Sequence, residues 1–324
     1  MLVERYSNTK KVEWNNFVKD AKNATFLFER EFMDYHADRF TDYSLMVYDD
    51  KNKLVACLPA NITDENIVYS HQGLTYGGFC FKKDLKLPVQ LEIIKTLIQY
   101  LNQQGVEKFI YKAFPRFYNE LQTDEVEYAM FLLNAKLFRR DTALAIDYHD
   151  RINYSGAYKR QAKKAIKNNF EVKEVDSFKE FWEEILTPNL EERFGVKPVH
   201  SLEEISSLKS SFKDQIRLFV AINKKEEIVA GCVIFETKLV AHAQYISGNQ
   251  ESKSLGALNL LFIEIIDKVF NDKKYFDFGI ANENNGKALN QGLLAWKERM
   301  GGRAYSHDFY EIKTSNYLNL QLDE

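Results

Sequence analysis

Cysteine and proline are scarce in this sequence, and long hydrophobic runs are missing. The 324 residues include three cysteines and five prolines. Cys57, Cys80 and Cys232 each lie in an apolar run without metal-ligand spacing, which indicates buried thiols in a reducing compartment and no metal site. The chain starts with the charged segment MLVERYSNTKK, and no apolar stretch reaches the roughly 18 residues of a membrane span. We therefore expect a cytoplasmic protein without a transmembrane segment.

The sequence also lacks a strong excess of either charge. Its formal net charge is −3, which provides no global field to attract DNA or an anionic membrane. Any phosphate recognition must then come from a local basic patch. Apolar residues make up 45% and charged residues 28% of the chain, which are ordinary values for a globular protein. The length predicts two domains rather than one.

Two stretches of the chain show the same order of predicted elements. In the first, SLMVYDDKNKLVACLPANI predicts two strands around a turn, and NIVYSHQGLTYGGF predicts a third strand that ends in glycines. Apolar residues at helical spacing predict a helix between Pro88 and Gly105. A strand, a second helix from about Glu125 to Ala135 and the strand DTALAIDY complete this half.

The second stretch repeats this order roughly 168 residues later, which indicates an internal duplication. QIRLFVAINKKEEIVAGCVIFE predicts a hairpin, KLVAHAQYISGN a long strand, SLGALNLLFIEIIDKVF one helix and KKYFDFGI another strand. We predict an α/β protein of two halves in tandem, residues 1–150 and 151–324, each a twisted mixed sheet flanked by helices. The polar segment HDRINYSG marks the predicted boundary.

This order of elements resembles the core of the GCN5-related N-acetyltransferases (GNAT), and a tandem pair resembles the Fem-type and related acyltransferases. The residues that carry the resemblance are YISGNQESKSLGALNLL, FDFGIANENNGKALNQGLLAWKERMGG and AYKRQAKKAIKNNFEVKEV. The resemblance implies that an acyl donor lies between two strands that separate. It also implies an acyltransferase with acetyl-CoA or another acyl-CoA as its co-substrate, bound by residues 151–324, while residues 1–150 serve the acceptor.

The donor segment comes after the long strand of the second half. Small residues at the first turn of a helix let backbone amides approach a pyrophosphate, although a Ser-capped helix without a ligand has the same pattern. Asn285 begins an Asn-x-x-Ala motif with which many GNAT enzymes open the next helix, and its amide could equally cap that helix. The predicted donor-binding residues are Tyr245, Ile246, Ser247, Lys253, Ser254, Gly256 and Asn285. The matching turn of the first half has no glycine and predicts a degenerate donor site.

Acyl transfer needs a base that takes a proton from the attacking atom. His242 is the first candidate, because it alternates in phase with Ile246 on a strand beside the predicted donor. A histidine in an apolar strand is also typical of a hydrogen-bonded core residue. Asp277 competes for the role, since a carboxylate among aromatic residues should have a raised pKa, and Glu283 is a third candidate.

Many GNAT enzymes use a tyrosine to protonate the departing thiolate. No tyrosine occurs between Ala288 and Gly302, where the resemblance would place it. Tyr310, or else Tyr305, is the substitute that the last predicted strand offers.

Two segments bear on the acceptor. AYKRQAKKAIKNNF predicts an amphipathic helix with Tyr158, Ala162, Ala165 and Ile166 on its apolar side and Lys159 and Lys163 on a basic side. This basic side is either solvated or binds a phosphate-bearing substrate. The glycine-rich stretch after the third strand offers a substrate pocket with the polar side chains of His71, Gln72 and Tyr76.

The sequence therefore predicts transfer of an acyl, in the first instance acetyl, group to the amine or hydroxyl of a small acceptor such as an amino sugar or nucleotide sugar. Two alternatives remain. One is aminoacyl transfer from aminoacyl-tRNA, for which the expected helical-arm insertion has no room, so that tRNA is the less favoured partner. The other is a binding protein whose GNAT halves have lost catalysis.

Overall fold

The computed structural model describes residues 1–121 and 123–321, which form two compact units. Of these described residues, the first unit contains 1–121, 123–141, 284–287 and 306–321, and the second contains 142–283 and 288–305. The chain therefore crosses between the units more than once. The predicted assignment of acceptor and donor roles to residues 1–150 and 151–324 stays a prediction.

The described residues of the first unit contain eight short strands and four α-helices. Its strands are β1 (Leu2–Arg5), β2 (Thr41–Asp42), β3 (Leu45–Tyr48), β4 (Leu54–Leu58), β5 (Asn61–Ile62), β6 (Ile67–Tyr69), β7 (Cys80–Phe81) and β8 (Lys108–Lys112). Its helices are α1 (Lys11–Asp20), α2 (Arg30–Met33), α3 (Leu87–Gln103) and α4 (Glu125–Leu132).

Longer strands build the second unit, and β9 (Lys136–Asp147) leads into it from the first. The further strands are β10 (Glu171–Val175), β11 (Ile216–Ile222), β12 (Ile228–Glu236), β13 (Val240–Gly248), β14 (Tyr275–Ile280), β15 (Asn282–Glu283), β16 (Ala288–Leu289) and β17 (Arg303–Lys313), which ends in the first unit. The helices are α5 (Gly156–Lys167), α6 (Thr187–Phe194), α7 (Leu202–Ser211), α8 (Gln250–Leu255), α9 (Ala257–Glu264) and α10 (Gln291–Arg299). One π-helical turn, Phe181–Leu186, precedes α6, and another, Ile265–Val269, comes directly after α9.

The strands of the first unit belong to two sheets. One is antiparallel with the order β1-β3-β4-β7. The other has the order β2-β5-β6-β8, in which β6 and β8 are parallel, and the end of β17 pairs antiparallel with β8. The buried side of α3, with Ile94, Leu97 and Leu101, packs into the core of this unit together with β-strand residues such as Phe109.

The second unit has the strand order β10-β11-β12-β13-β14-β9. All its pairs are antiparallel except β13 and β14, which run in parallel over three residue pairs. Helices α5 and α9 pack into one core with this sheet, because Ala165, Leu261 and Phe276 belong to a single buried cluster. The second unit is thus a mixed sheet flanked by helices, whereas the first contains an antiparallel sheet beside a mixed one, and the predicted α/β class is confirmed.

Two predicted elements differ from the structure. The predicted third strand of the first half is split into β6 and β7, which belong to different sheets. The glycine-rich stretch between these two strands forms a loop. The predicted helix after the long strand of the second half is broken at Gly256 into α8 and α9. Pro88 and Gly105, by contrast, bracket α3 almost as predicted.

Gly256 breaks the helix because it has a left-handed backbone and little space around it. Its φ is +81°, and a Cβ atom at this position would lie 2.4 Å from the backbone oxygen of Gln161 on α5. Glycine is the residue that adopts this conformation without a steric cost. The close approach explains how α5 and α9 can pack against each other at this point.

We predict that Gly256→Ala destabilises the protein more than Gly195→Ala does. Gly195 also has a positive φ, +64°, but nothing lies within 4 Å of the site of its Cβ. The free energy of unfolding should fall by about 1 kcal/mol in both variants because of backbone strain. In Gly256→Ala it should fall by at least about 1 kcal/mol more because of overpacking. Urea unfolding of the two variants measures the difference. Equal losses would contradict the contact with Gln161.

Candidate active site

The parallel ladder between β13 and β14 ends at a histidine and a carboxylate. His242 is the register partner of Asp277 and is the last residue of β13 to pair with β14, although β13 continues to Gly248. The two strands separate from this point. The resemblance to the GNAT core implies that the acyl donor lies at such a separation.

His242 and Asp277 form a buried pair. The Nδ1 atom of His242 lies 2.8 Å from Oδ2 of Asp277, and the two residues are only 8% and 4% exposed. Oδ1 of the same carboxylate accepts a hydrogen bond of 2.7 Å from the amide of Gly279. With Nδ1–H donating to Asp277, Nε2 of His242 keeps a lone pair that can accept a proton. The two rival bases of the sequence analysis are thus brought together as one pair.

A buried lysine that the sequence analysis missed supports the end of β14. Lys297 on α10 is 2% exposed, and its Nζ donates to the carbonyl oxygens of Gly279 and Ile280 at 2.9 and 2.7 Å. Gly279 has a φ of +71°, and the ladder of β14 with β9 shifts register between Asp277 and Ile280. Burial lowers the pKa of Lys297 to about 8, while the charge of Asp277 opposes this shift. Lys297 therefore places a cation near the pair.

A β-bulge decides which side chains share a face with His242. Val233 pairs with Tyr245 and Ile234 with Ala243, so that Gln244 is an extra residue in β13. The strict alternation of side chains between the two faces of β13 therefore ends at Gln244. Ile246 does not share the face of His242, as its predicted phase required, but packs half-buried against the core of the second unit.

Tyr245 and Ser247 instead lie on the face of His242. The hydroxyl of Tyr245 is 2.5 Å from Nδ1 of His200, and Oγ of Ser247 accepts a hydrogen bond of 2.8 Å from Asn189. Both side chains are 8% exposed. The segment that contains α6 therefore covers this face beyond His242.

The donor segment satisfies several of its own backbone amides. The side chain of Asn249 accepts from the amide of Ser252 at 2.9 Å, and Oγ of Ser252 accepts from the amide of Leu258 at 3.2 Å. The amide of Gly256 donates to the carbonyl of Ser252 at 2.8 Å. A bound pyrophosphate would need backbone amides such as those of Ser252, Gly256 and Leu258. Because these amides are already bonded within the segment, fewer of them are free than the sequence analysis expected.

Basic side chains surround this segment. Lys253 and Ser254 are exposed, and Nζ of Lys164 on α5 donates to the carbonyl of Ser254 at 3.0 Å. Lys159 and Lys163 are also exposed on α5, whereas Tyr158, Ala162 and Ala165 are buried as predicted. Ile166 is 58% exposed and was wrongly placed on the apolar side. The exposed cations of this surface are Lys159, Arg160, Lys163, Lys164, Lys167 and Lys253; below it is called the α5–α8 surface.

Asn285 does not open a helix. It lies at φ +52° in the turn between β15 and β16, while α10 begins at Gln291 and is capped by Asn290. Its Oδ1 is 3.4 Å from Nη1 of Arg139, and it lines a cavity of the first unit. Glu283, the third candidate base, is exposed and accepts a hydrogen bond from Asn290.

Tyr310 also belongs to the first unit. Its register partner is Tyr111, and its hydroxyl donates to Asp308 at 3.2 Å. Burial, together with the charge of Asp308, raises the pKa of Tyr310 to about 12. The alternative, Tyr305, lies in the second unit, where its ring contacts Tyr275. The role of either tyrosine as an acid stays a prediction.

The glycine-rich loop places two of its three predicted substrate residues beside a cavity of about 490 Å³. His71 is buried at φ +66° and stacks on His36 with ring centroids 5.0 Å apart, and the exposed Gln72 is held by Asn61. Tyr76 is 2% exposed and bonds to Thr25 at 2.9 Å. Tyr76 is thus packed in the interior and is not among the residues that line the cavity.

Comparisons with known proteins establish the fold. No family model and no curated protein matches the sequence. Among solved structures, FemX is similar with a TM-score of 0.67 and 10% identity over 99% of each chain. L-PGS from Bacillus licheniformis has a TM-score of 0.60 and 10% identity, over 99% of this chain and 95% of its own. A tandem GNAT protein from the clavulanic acid biosynthesis pathway has a TM-score of 0.51 and 8% identity, over 97% of this chain and 98% of its own.

The chain has a tandem GNAT fold. At these identities the likeness concerns the backbone, and the residues of the site are argued from this structure. No helix within residues 1–121 and 123–321 is long and apolar enough to cross a bilayer.

Helical periodicity was the signal that could have revealed Lys297 in this GNAT-like unit. Lys297 lies three residues before Met300, which is fully buried, and three after the partly buried Leu294. A lysine in phase with apolar residues points inward. Charged residues on helices usually face solvent, so a buried lysine is the less common outcome.

We predict that Lys297 makes stability depend on pH between about 8 and 10.5. In this window the unfolded chain keeps the proton that the folded protein loses, because burial lowers the pKa of Lys297 only in the folded state. The free energy of unfolding should therefore rise with pH, by up to about 1.4 kcal/mol per pH unit. Urea unfolding of the parent and of Lys297→Met across this range isolates the contribution. The same pH slope in both proteins would refute it.

Proposed function

We propose that this protein is an acyltransferase in which His242 and Asp277 activate the acceptor. The observation that carries the proposal is the buried pair at the point where β13 and β14 separate. A general base needs a free lone pair and a partner that holds its ring, and His242 has both. We also propose that the second unit binds the donor and the first binds the acceptor.

In the proposed reaction, Nε2 of His242 takes the proton from the attacking amine or hydroxyl. The nucleophile forms a bond to the acyl carbon, and the bond from that carbon to the donor breaks. Asp277 stabilises the imidazolium that forms, as a buried carboxylate does beside a histidine base. Lys297 keeps the end of β14 in place and contributes a positive charge near the developing negative charge.

An acyl-CoA, acetyl-CoA in the first instance, is the donor that this proposal takes first. Its support is the tandem GNAT fold and the separation of β13 from β14. The acceptor is a small molecule with an amine or a hydroxyl. The cytoplasmic location expected from the cysteines agrees with their burial as free thiols.

Aminoacyl-tRNA is a second donor that specific observations favour. The amides of Ser252, Gly256 and Leu258 are already bonded within the donor segment, which leaves less for a CoA pyrophosphate. The α5–α8 surface instead offers exposed cations, which suit an extended phosphate backbone. The resemblance of the sequence to the Fem-type acyltransferases supports this alternative, and the fold is similar to that of FemX.

We predict that His242→Gln lowers kcat by about a hundredfold or more and leaves donor affinity within about twofold, because a general base acts on the transition state. Asp277→Asn should lower kcat as well, since an amide cannot stabilise the imidazolium. Acyl transfer to pooled amino sugars and amines, monitored by thiol release from acetyl-CoA, measures the rates. The exposed Glu283→Gln is the matched control and should retain activity. Full activity of both site variants would overturn the proposal.

The donor class is tested on the α5–α8 surface. We predict that Lys159→Gln, Lys163→Gln and Lys167→Gln combined weaken binding of aminoacyl-tRNA by at least about tenfold and flatten its salt dependence, because phosphate contacts release counterions. Binding of acetyl-CoA should change much less. Filter binding for tRNA and calorimetry for acetyl-CoA, each at low and physiological salt, provide the comparison. If the parent binds acetyl-CoA and not tRNA, the second donor is excluded.

A further inference from the structure

The cavity beside His71 in the first unit carries an unusual set of side chains. It has a volume of about 490 Å³, within the range of small-molecule sites. The lining includes His71, Lys112, Phe138, Arg139, Lys287 and Phe309. All of these residues belong to the first unit, so the cavity is complete within it.

The lining is positively charged. It contains Lys112, Arg139 and Lys287 and, among the described residues that form it, no carboxylate. Asp141, which is buried behind the wall, bonds to Arg139 at 2.6 Å and offsets one of the three charges. Burial, with help from the charge of Arg139, lowers the pKa of Lys112 to about 8, so this lysine is still mostly protonated at neutral pH. A net positive charge therefore faces the cavity.

Several hydrogen-bond donors of the lining are available to a ligand. The ammonium of Lys287 is exposed and makes no ion pair with any residue in 1–121 or 123–321. Nη1 of Arg139 has only a long contact of 3.4 Å with Asn285, because Asp141 binds the other edge of the guanidinium. These donors suit an anion rather than a neutral polar group.

His71 adds a neutral donor. Burial, with the nearby His36, Arg30 and Lys112, holds the pKa of His71 well below 6.5, so its ring is uncharged at neutral pH. The amide of Gly73 donates to its Nδ1 at 3.2 Å, which leaves the ring proton on Nε2. An Nε2–H group donates and does not accept. His71 therefore fits an oxyanion and does not act as a base.

Aromatic rings complete the wall. Phe138 and Phe309 meet edge to face with centroids 6.4 Å apart, and Phe138 is 43% exposed. The guanidinium of Arg139 lies 4.4 Å from the centroid of Phe309. An exposed ring and a partly buried one beside a cation are typical of sites for molecules that combine a charge with a flat or apolar part.

We infer that this cavity binds a small molecule that carries an oxyanion, phosphate or carboxylate, next to a ring. Lys112, Arg139, Lys287 and His71 contact the oxyanion, and Phe138 and Phe309 pack against the ring. If the molecule is the acceptor, the inference names its chemical class and in that respect rests on the proposed function. Binding itself requires no donor and no turnover.

Calorimetry with four matched probes tests this site on the full chain. The probes are phenyl phosphate, benzoate, benzyl alcohol and benzylamine, which share a ring and differ in charge, and inorganic phosphate serves as the probe without a ring. We expect saturable binding of phenyl phosphate or benzoate and at least about tenfold weaker binding of the alcohol and the amine, because charge-assisted hydrogen bonds are the stronger ones. Whichever of phenyl phosphate and benzoate binds more tightly shows whether the natural ligand carries a phosphate or a carboxylate. Inorganic phosphate should bind more weakly than phenyl phosphate.

Lys287→Glu provides the variant, since its exposed side chain can change without loss of the fold. Reversal of this charge should weaken the binding of the preferred anion by at least about fivefold. Lys136→Glu is the control, because Lys136 is exposed in the first unit and lies outside the cavity. Equal binding of anion and alcohol, or equal effects of the two variants, would overturn the inference. Full activity of His242→Gln and Asp277→Asn with anion binding intact would overturn the proposed function and leave this inference standing, so the two proposals fail separately.

Discussion

Asp277 is a carboxylate with 4% exposure, and the end of the second unit's sheet is arranged around it. A buried charge needs partners, and removing one typically costs about 3–5 kcal/mol. The imidazole of His242 supplies one partner and the amide of Gly279 supplies another. The left-handed backbone of Gly279 brings its amide to the carboxylate, and Lys297 donates to the carbonyls of Gly279 and Ile280. The separation of β13 from β14 begins at the pair of His242 and Asp277.

The two units share a fold but differ where a ligand would bind. In the second unit, the helix after the long strand breaks at Gly256, which allows α5 to approach. In the first, α3 runs without a break from Leu87 to Gln103, and the strand before it is interrupted by the loop that carries His71. The interruption opens a cavity at the surface of the first unit. The two units therefore differ in chemistry at these places, because the second has a buried His–Asp pair and the first has a cationic cavity.

Periodicity made the elements of both halves predictable, because a helix or a strand repeats its buried side chains at a fixed interval. The helix after Pro88 and the hairpins of both halves obey this rule. It failed at Gln244 and at Gly256. A bulge and a left-handed glycine each shift the phase of the residues that come after them, and neither leaves a distinct spacing in a single sequence.

The sequence by itself determined the α/β class and the repeated order of elements, and it singled out His242 and Asp277 as candidate bases. Only the tertiary structure decided that these two side chains form one pair, since residues 35 positions apart meet through the register of two strands. It also decided that Lys297 is buried and that Asn285 joins the cavity of His71. Burial and long-range pairing arise from the packing of distant segments, and the local pattern of a chain does not encode them residue by residue.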